Sequence, residues 1–204
     1  MKRIGILLLT MMVCEMANAQ FHMGLRDNKY AFVGYKWNSG WTIKLDQSIF
    51  DESFKYQYIR CTGKYQIHIK YFALEVSSFV GTTYNNSFYD LGTSINGNCR
   101  PLKWLGIGGK INPRYDSEYK YEICYMLGTD FHISDELALL AQYNTIPEYR
   151  ISEKRVKVGL RLAVNNLKVF PMLSFPIEGN TKTLRILVGF QYDFPKMKRQ
   201  KRLS

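Results

Sequence analysis

Apolar and polar residues alternate along most of this chain with a period of two, the rhythm that puts successive side chains on opposite faces of a β-strand. Near the C-terminal end, Leu184, Ile186, Val188, Phe190, Tyr192 and Phe194 share one face, and Arg185, Leu187, Gly189, Gln191 and Asp193 share the other. The pattern recurs where Val156, Val158, Leu160, Leu162 and Val164 oppose Arg155, Lys157, Gly159, Arg161 and Ala163. A longer stretch sets Tyr119, Tyr121, Ile123, Tyr125, Leu127, Thr129, Phe131 and Ile133 against Lys120, Glu122, Cys124, Met126, Gly128, Asp130 and His132. Trp41, Ile43, Leu45 and Ile49 likewise oppose Thr42, Lys44, Asp46 and Ser48. Helical periodicity is nearly absent, and beyond the N-terminal segment no apolar run has the length of a membrane helix.

Soluble sandwiches alternate too, so period alone does not choose the environment. Three features favour a membrane barrel. The alternating segments run about ten residues or more, enough to cross a bilayer at a tilt, whereas soluble strands are most often about five or six. The polar face carries charges and glycines, as a barrel lumen does, and aromatic residues gather near strand ends, as in interfacial girdles.

Turn signals give an independent count. With the chain end on the periplasmic side, the connections at Ile177–Thr181, Pro147–Glu153, Arg114–Glu118, Thr82–Ser87 and Asp51–Ser53 fall outside. Those at Asn165–Asn166, Ser134–Asp135, Asn98–Pro101, Cys61–Lys64 and Asn38–Gly40 fall inside. The outer group is mostly longer, as outer-membrane barrels require. Residues 30–37 then descend, and 21–27 make the first ascending strand. The expectation is an all-β, up-and-down antiparallel transmembrane barrel of about twelve strands. Ten or eight remain if the first strand or the stretch around Cys61–Ile69 is lost.

The N-terminus sets the compartment. Lys2 and Arg3 precede the apolar stretch Ile4–Val13, and Ala17-Asn18-Ala19 supplies small residues before a cut between Ala19 and Gln20. That order is a secretory signal, too short to span as a helix. Val13 before Cys14 is the wrong residue for a lipoprotein site. The chain therefore divides into a signal peptide at 1–19, a barrel at 20–194 and a basic tail at 195–204. The formal charge is +11, from 28 Lys+Arg against 17 Asp+Glu. Such a balance suits nucleic acid, an anionic membrane surface or an anionic ligand, and export removes nucleic acid from that set. Aromatic residues make up 15% of the chain and prolines are few, so the chain is not a disordered one.

The signal ending Ala17-Asn18-Ala19-Gln20, the segments YKYEICYMLGTDFHIS, DELALLAQYNTI and RVKVGLRLAV, and the closing TLRILVGFQYDF together resemble the small outer-membrane β-barrel proteins of Gram-negative bacteria. The resemblance covers the whole chain without selecting a subfamily. It implies outer-membrane lipids around the wall and the outer-membrane assembly machinery as a partner. Members usually end on a terminal aromatic that this machinery reads; here Phe194 is followed by PKMKRQKRLS.

Candidate chemistry is sparse. Asp130, His132 and Ser134 share a face, but neighbours along one strand line up along its axis, whereas a nucleophile, base and orienting acid must converge on one reacting atom. His68, beside Lys70 with no acid nearer than Glu75, and His22 are scattered, and three isolated histidines make no metal site. No cofactor motif occurs, and Gly106–Gly109 reads as wall glycines. The mature cysteines Cys61, Cys99 and Cys124 are structural thiols. With Cys61 and Cys99 both at inner turns, a disulfide would have to span about two strand spacings, roughly 10 Å. The lumen-facing charges expected from the alternation are Lys44, Lys70, Lys120, Lys157, Arg161 and Arg185, with Asp46, Glu75, Glu122, Asp130 and Asp193. They describe either a lumen plugged by ion pairs, the favoured reading, or a weakly anion-selective pore. The basic tail suits contact with anionic surfaces, although a solvated end is its plainer reading. The functional expectation is a non-enzymatic barrel, structural or a narrow channel. A hydrolase or lipid-modifying enzyme of the outer membrane and a soluble exported barrel or sandwich that binds a small ligand are the alternatives.

Overall fold

The computed structural model describes residues 20–49, 57–118, 120–145, 154–178 and 183–195. They form twelve strands: β1 (Gln20–Arg26), β2 (Tyr30–Lys36), β3 (Trp41–Ser48), β4 (Tyr58–Ile69), β5 (Phe72–Thr83), β6 (Tyr89–Leu102), β7 (Leu105–Asp116), β8 (Lys120–His132), β9 (Leu137–Asn144), β10 (Lys154–Val164), β11 (Leu167–Glu178) and β12 (Arg185–Asp193). Each pairs antiparallel with its neighbours in sequence, and β1 pairs with β12, through His22 opposite Asp193 and Leu25 opposite Phe190, to close the barrel. Closure removes both sheet edges, so no row of ladder N–H and C=O groups is left unpaired in an apolar medium.

Connections alternate between two ends. The terminal end, where β1 begins and β12 finishes, carries short turns at Trp37–Gly40, Lys70–Tyr71, Lys103–Trp104 and Asn165–Asn166. The loop end carries the stretches between β3 and β4, β5 and β6, and β9 and β10. It also holds the tight β1–β2 turn, where Asp27 and Asn28 both take positive φ, 54° and 59°. Asp and Asn tolerate that left-handed conformation, and two such residues in a row give the twist a short hairpin needs.

Two turns differ from the sequence expectation. Residues Cys61–Lys64 lie inside β4, and the reversal comes at Lys70–Tyr71, with Lys70 at φ 49°. Gly63 looks like a turn residue, yet it stands in the wall opposite Ile43 and Ser78, and the alternation continues through it. Residues Asn98–Pro101 lie inside β6. A register irregularity between Cys99 and Leu102 accommodates the proline, and the turn follows at Lys103–Trp104. At the loop end, Thr82 and Thr83 still belong to β5 and Arg114–Asp116 to β7, so both turns start later than expected. The expected connections at Asp51–Ser53 and Pro147–Glu153, Tyr119, the signal segment 1–19 and residues 196–204 fall outside the described residues.

The wall is inside-out relative to a soluble protein. Val80, Ile95, Ile107, Ile111, Ile123, Leu127 and Ile186 are each at least half exposed on the outer face, while Ser48, Thr83, Ser94, Asp116 and Ser174 are fully buried on the inner one. A continuous apolar belt far exceeds the few hundred Å² that soluble monomers leave bare, and its natural solvent is hydrocarbon. Aromatic rings edge the belt at both ends. Trp41 packs on Tyr65 and Trp104 stacks on Phe131 toward the terminal end, and Tyr115 meets Tyr89 and Tyr121 toward the loop end. Cys61 and Cys99 are free thiols on the outer face, and Cys124 is a buried one on the inner face. Cys61 stands opposite Val80 and Cys99 opposite Phe72, eight residues apart along β5, so the turn-to-turn geometry considered from the sequence does not exist.

Candidate functional site in the barrel lumen

Strand register stacks the inner side chains in rows around the wall. One row runs Asp116, Asp90, Gly81, Arg60, Asp46 and Phe32; the next toward the terminal end runs Arg114, Gly92, Phe79, Thr62, Lys44 and Gly34. Two rows further on come Lys110, Asn96, Glu75 and Gln66. These rows carry Asp116, Asp90, Arg60, Asp46, Arg114, Lys44, Lys110 and Glu75 on neighbouring strands β3 to β7.

Asp46, on β3, is 2% exposed and lies 2.7 Å from the Lys44 ammonium and 3.8 Å from Arg26. Asp90, on β6, is 1% exposed and forms the centre of a second group. The Tyr58 hydroxyl donates to one of its oxygens at 2.5 Å, Arg60 donates to the other at 2.5 Å, and Arg114 stands at 4.0 Å. Arg60 also donates to the Tyr58 hydroxyl, and Arg114 donates to Asp116 at 2.6 Å. Taking charges out of water is costly unless partners meet them, and each carboxylate here faces a guanidinium or ammonium.

Cations of this charged region lie on aromatic rings. The Lys44 ammonium is 4.4 Å from the Phe32 centroid, the Arg60 guanidinium 4.3 Å from Phe79, and the Arg26 guanidinium 4.9 Å from Tyr30. Each contact fixes a long side chain against the wall. Inner glycines make the room: a Cβ on Gly24 would meet the Phe32 ring at 2.8 Å, and one on Gly92 would meet Phe79 at 2.7 Å.

Toward the terminal end the lumen is wetter. Lys64 donates to Glu75 at 3.2 Å, and the two side chains keep 29% and 19% of their exposure. Lys110 faces the same space, within the electrostatic field of Lys64, Arg26 and Arg60 as well as Glu75. Among the described residues no carboxylate forms an ion pair with it.

The remaining expected charges are placed as follows. Lys157 reaches the Asp27 carboxylate at 3.2 Å. Asp193 accepts from Lys168 at 2.8 Å and from Gln191 at 2.6 Å. Glu122 stands on the inner face opposite Arg114, and Arg185 opposite Ser174. Lys120 is exposed at the head of β8 with φ 66°. Lys70 is not on the wall at all: the late β4–β5 reversal puts it in a turn, its ammonium 4.8 Å from the Tyr71 ring centroid. Ala19 lies outside the described residues, and Gln20 opens β1, its side-chain amide donating to the Phe194 carbonyl at 3.4 Å.

His132 is bracketed by cations. Its Nε2 contacts Asp130 and lies 2.9 Å from Arg100, and its Nδ1 lies 3.0 Å from Arg161. Ser134 is turned away, its hydroxyl accepting from the Glu136 and Leu137 amides in the β8–β9 turn. Nucleophile and base do not meet here. His68 instead borders a cavity of about 180 Å³ at the terminal end, with Gln20, Lys36, Trp37, Asn38, Gly40 and Gln66.

Sequence reasoning missed Arg26, Tyr58, Arg60, Lys64, Asp90, Lys110 and Arg114. The signal existed: Tyr58, Arg60, Thr62, Lys64, Gln66 and His68 alternate with Ile59, Cys61, Gly63, Tyr65 and Ile67. Placing a turn at Cys61–Lys64 interrupted it.

No family model matches the chain, and no curated protein matches it in sequence. Solved structures do match its shape. The KdgM porin in complex with disordered oligogalacturonate superposes with a TM-score of 0.64 at 11% identity, over 87% of this chain and 99% of that one. The NanC porin gives 0.54 at 9%, over 86% and 97%. Omp33 of Acinetobacter baumannii gives 0.53 at 10%, over 86% and 96%. The likeness is one of fold: the chain shares the closed, antiparallel β-barrel architecture of these outer-membrane porins.

Proposed function

We propose that the protein sits in the bacterial outer membrane as a narrow, non-enzymatic channel that favours small anionic solutes. The observation that carries this reading is Lys110. It stands on the inner face opposite Asn96, lacks an ion pair among the described residues, and shares its field with three cations, Lys64, Arg26 and Arg60, against one carboxylate, Glu75. Uncompensated charge of one sign on a low-dielectric wall raises the local concentration of the opposite ion. The complex of the KdgM porin with oligogalacturonate, an acidic sugar chain, is consistent with that preference in a barrel of the same fold. Against an enzyme stands the setting of His132, held between two guanidiniums while the Ser134 hydroxyl is taken up by the β8–β9 turn amides.

In this reading the loop end faces outward and the terminal end the periplasm, since outer-membrane barrels keep short turns on the periplasmic side. Lipid surrounds the belt, the assembly machinery inserts it, and export removes residues 1–19. The basic stretch 195–204 then meets anionic surfaces in the periplasm.

Planar-bilayer recording tests the proposal. Steady conductance steps are expected, with a reversal potential on the anion side in a KCl gradient and a shift toward cations in Lys110→Glu. A cation-preferring wild type overturns the selectivity, and a folded but silent protein overturns the channel.

A further inference from the structure

Among the described residues, a buried aromatic cluster stands in the loop-end half of the lumen, and one of its members comes from a loop rather than from the wall. Phe88 precedes β6, and its ring is 1% exposed. Its backbone is clasped to the end of β5: the Phe88 amide donates to the Thr83 hydroxyl at 3.1 Å, and the Thr83 amide donates to the Phe88 carbonyl at 3.0 Å. The ring meets Tyr58 edge-on, with centroids 6.1 Å apart and planes at 65°, and Tyr30 completes a buried apolar cluster. Tyr58 is itself latched, donating to Asp90 and accepting from Arg60, both at 2.5 Å. Tyr58 cannot swing aside without giving up both of these hydrogen bonds. The β1–β2 hairpin that carries Tyr30 is tied to the far wall as well: Lys157 of β10 reaches Asp27 in its turn, passing in front of β11 and β12. Cluster and ion pair thus join strands from β10 through β2 and β4 to the head of β6 at the loop end of the lumen.

We infer that Phe88, held on the latched Tyr58, is the size-determining residue of the lumen, forming its constriction near the outer mouth. The inference rests on the channel reading and adds to it the residue that sets the solute cut-off, separately from the charges that set ion preference. Apolar rings do this without ion binding, so the barrier is steric and falls equally on neutral solutes.

The test compares wild type, Phe88→Ala and Asn98→Ala in planar bilayers and in liposomes that swell with neutral sugars of increasing size. Asn98 lies on the inner face of β6 in the wetter half and serves as the control. Larger conductance steps and a shift of the exclusion limit to larger sugars in Phe88→Ala, with Asn98→Ala like wild type, support the inference. A folded but silent wild type overturns the channel reading and the inference with it, whatever Phe88→Ala does. A conducting wild type whose steps and sugar limit are unchanged by Phe88→Ala overturns the inference and leaves the channel reading standing. Silence in all three, with gel mobility showing folded barrels, overturns both. Should Phe88→Ala fail to insert, Phe88→Leu keeps the apolar contact and reads the same shift on a smaller scale.

Discussion

Asp90→Asn isolates what the buried ionic network contributes. The substitution keeps the volume and keeps an acceptor for the Tyr58 hydroxyl, and it removes only the charge facing Arg60 at 2.5 Å and Arg114 at 4.0 Å. Leaving one member of a buried pair uncompensated costs about 3–5 kcal/mol. Coulomb attraction at 4 Å with an effective dielectric of 20 gives about 4 kcal/mol, a figure of the same size. Two features pull toward the lower end, ~3 kcal/mol by the same reasoning: the Arg60 side chain keeps 21% exposure, and Arg114 retains Asp116 at 2.6 Å. The assay is urea unfolding and refolding in lipid vesicles, followed by tryptophan fluorescence from Trp37, Trp41 and Trp104. Arg60→Gln, alone and combined with Asp90→Asn, completes a double-mutant cycle that separates the pair from other losses. A loss below about 1 kcal/mol, the range of solvent-exposed pairs, would refute the claim that this network lies outside bulk solvent.

Three further outcomes follow from the wall. Ile111→Arg, at mid-strand on the outer face, is expected to cost about 2–4 kcal/mol, and Ile69→Arg, beside a terminal-end turn, about 0–1 kcal/mol; equal costs in the same unfolding assay would deny the membrane depth assigned to the belt. Gly24→Val drives a branched side chain against the Phe32 ring and the Gln191 backbone, which a Cβ alone would meet at 2.8 and 2.9 Å. It should cost at least the ~1–3 kcal/mol of overpacking, read as a lower urea midpoint, and a midpoint equal to wild type would show that the wall yields there. Cys61 and Cys99 should react in vesicles with a lipid-soluble maleimide and leave non-reducing gel mobility unchanged, with Cys124 reacting only after unfolding. Labelling of Cys124 in the folded barrel would mean that its position on the inner face is open to the reagent.

Strand existence was legible because the barrel imposes one rule on every strand: odd and even residues see different solvents. That rule made β3, β8, β10 and β12 plain. It also carried the count to twelve, since up-and-down closure with both termini at one end forces an even number. What the rule does not contain is strand length. In β4 and β6 a glycine, a cysteine and a proline stand at wall positions, and single residues of turn-prone type were weighed above an alternation that runs straight past them. Moving two turns outward lengthened both strands and brought Lys64 onto the wall, while Lys70 left it. Pairing was the other hidden quantity. Asp46 with Lys44 is readable within one strand, but Asp90 meets Arg60 across β5, and Lys157 meets Asp27 across β11 and β12; such partners depend on register and closure, which no local pattern encodes.

The distribution of those pairs links stability to passage. A barrel in hydrocarbon has no apolar interior to hold it together, so the lumen must satisfy its own charges or leave them to water. Near the loop end it satisfies them: Asp90 and Asp116 are met by guanidiniums, and aromatic rings exclude water around them. Lower down, Lys64 meets Glu75 while keeping 29% exposure, and Lys110 has no ion pair among the described residues. If the whole lumen served only to rigidify the wall, an unmatched lysine there would be a cost with no return, because like charges sharing one narrow space repel. A channel has a use for it, since an entering anion relieves that repulsion only while it passes. Replacing Lys110 by Gln should therefore leave urea stability equal or raised while anion preference falls. A clear loss of stability instead would assign Lys110 to the structure rather than to the solute.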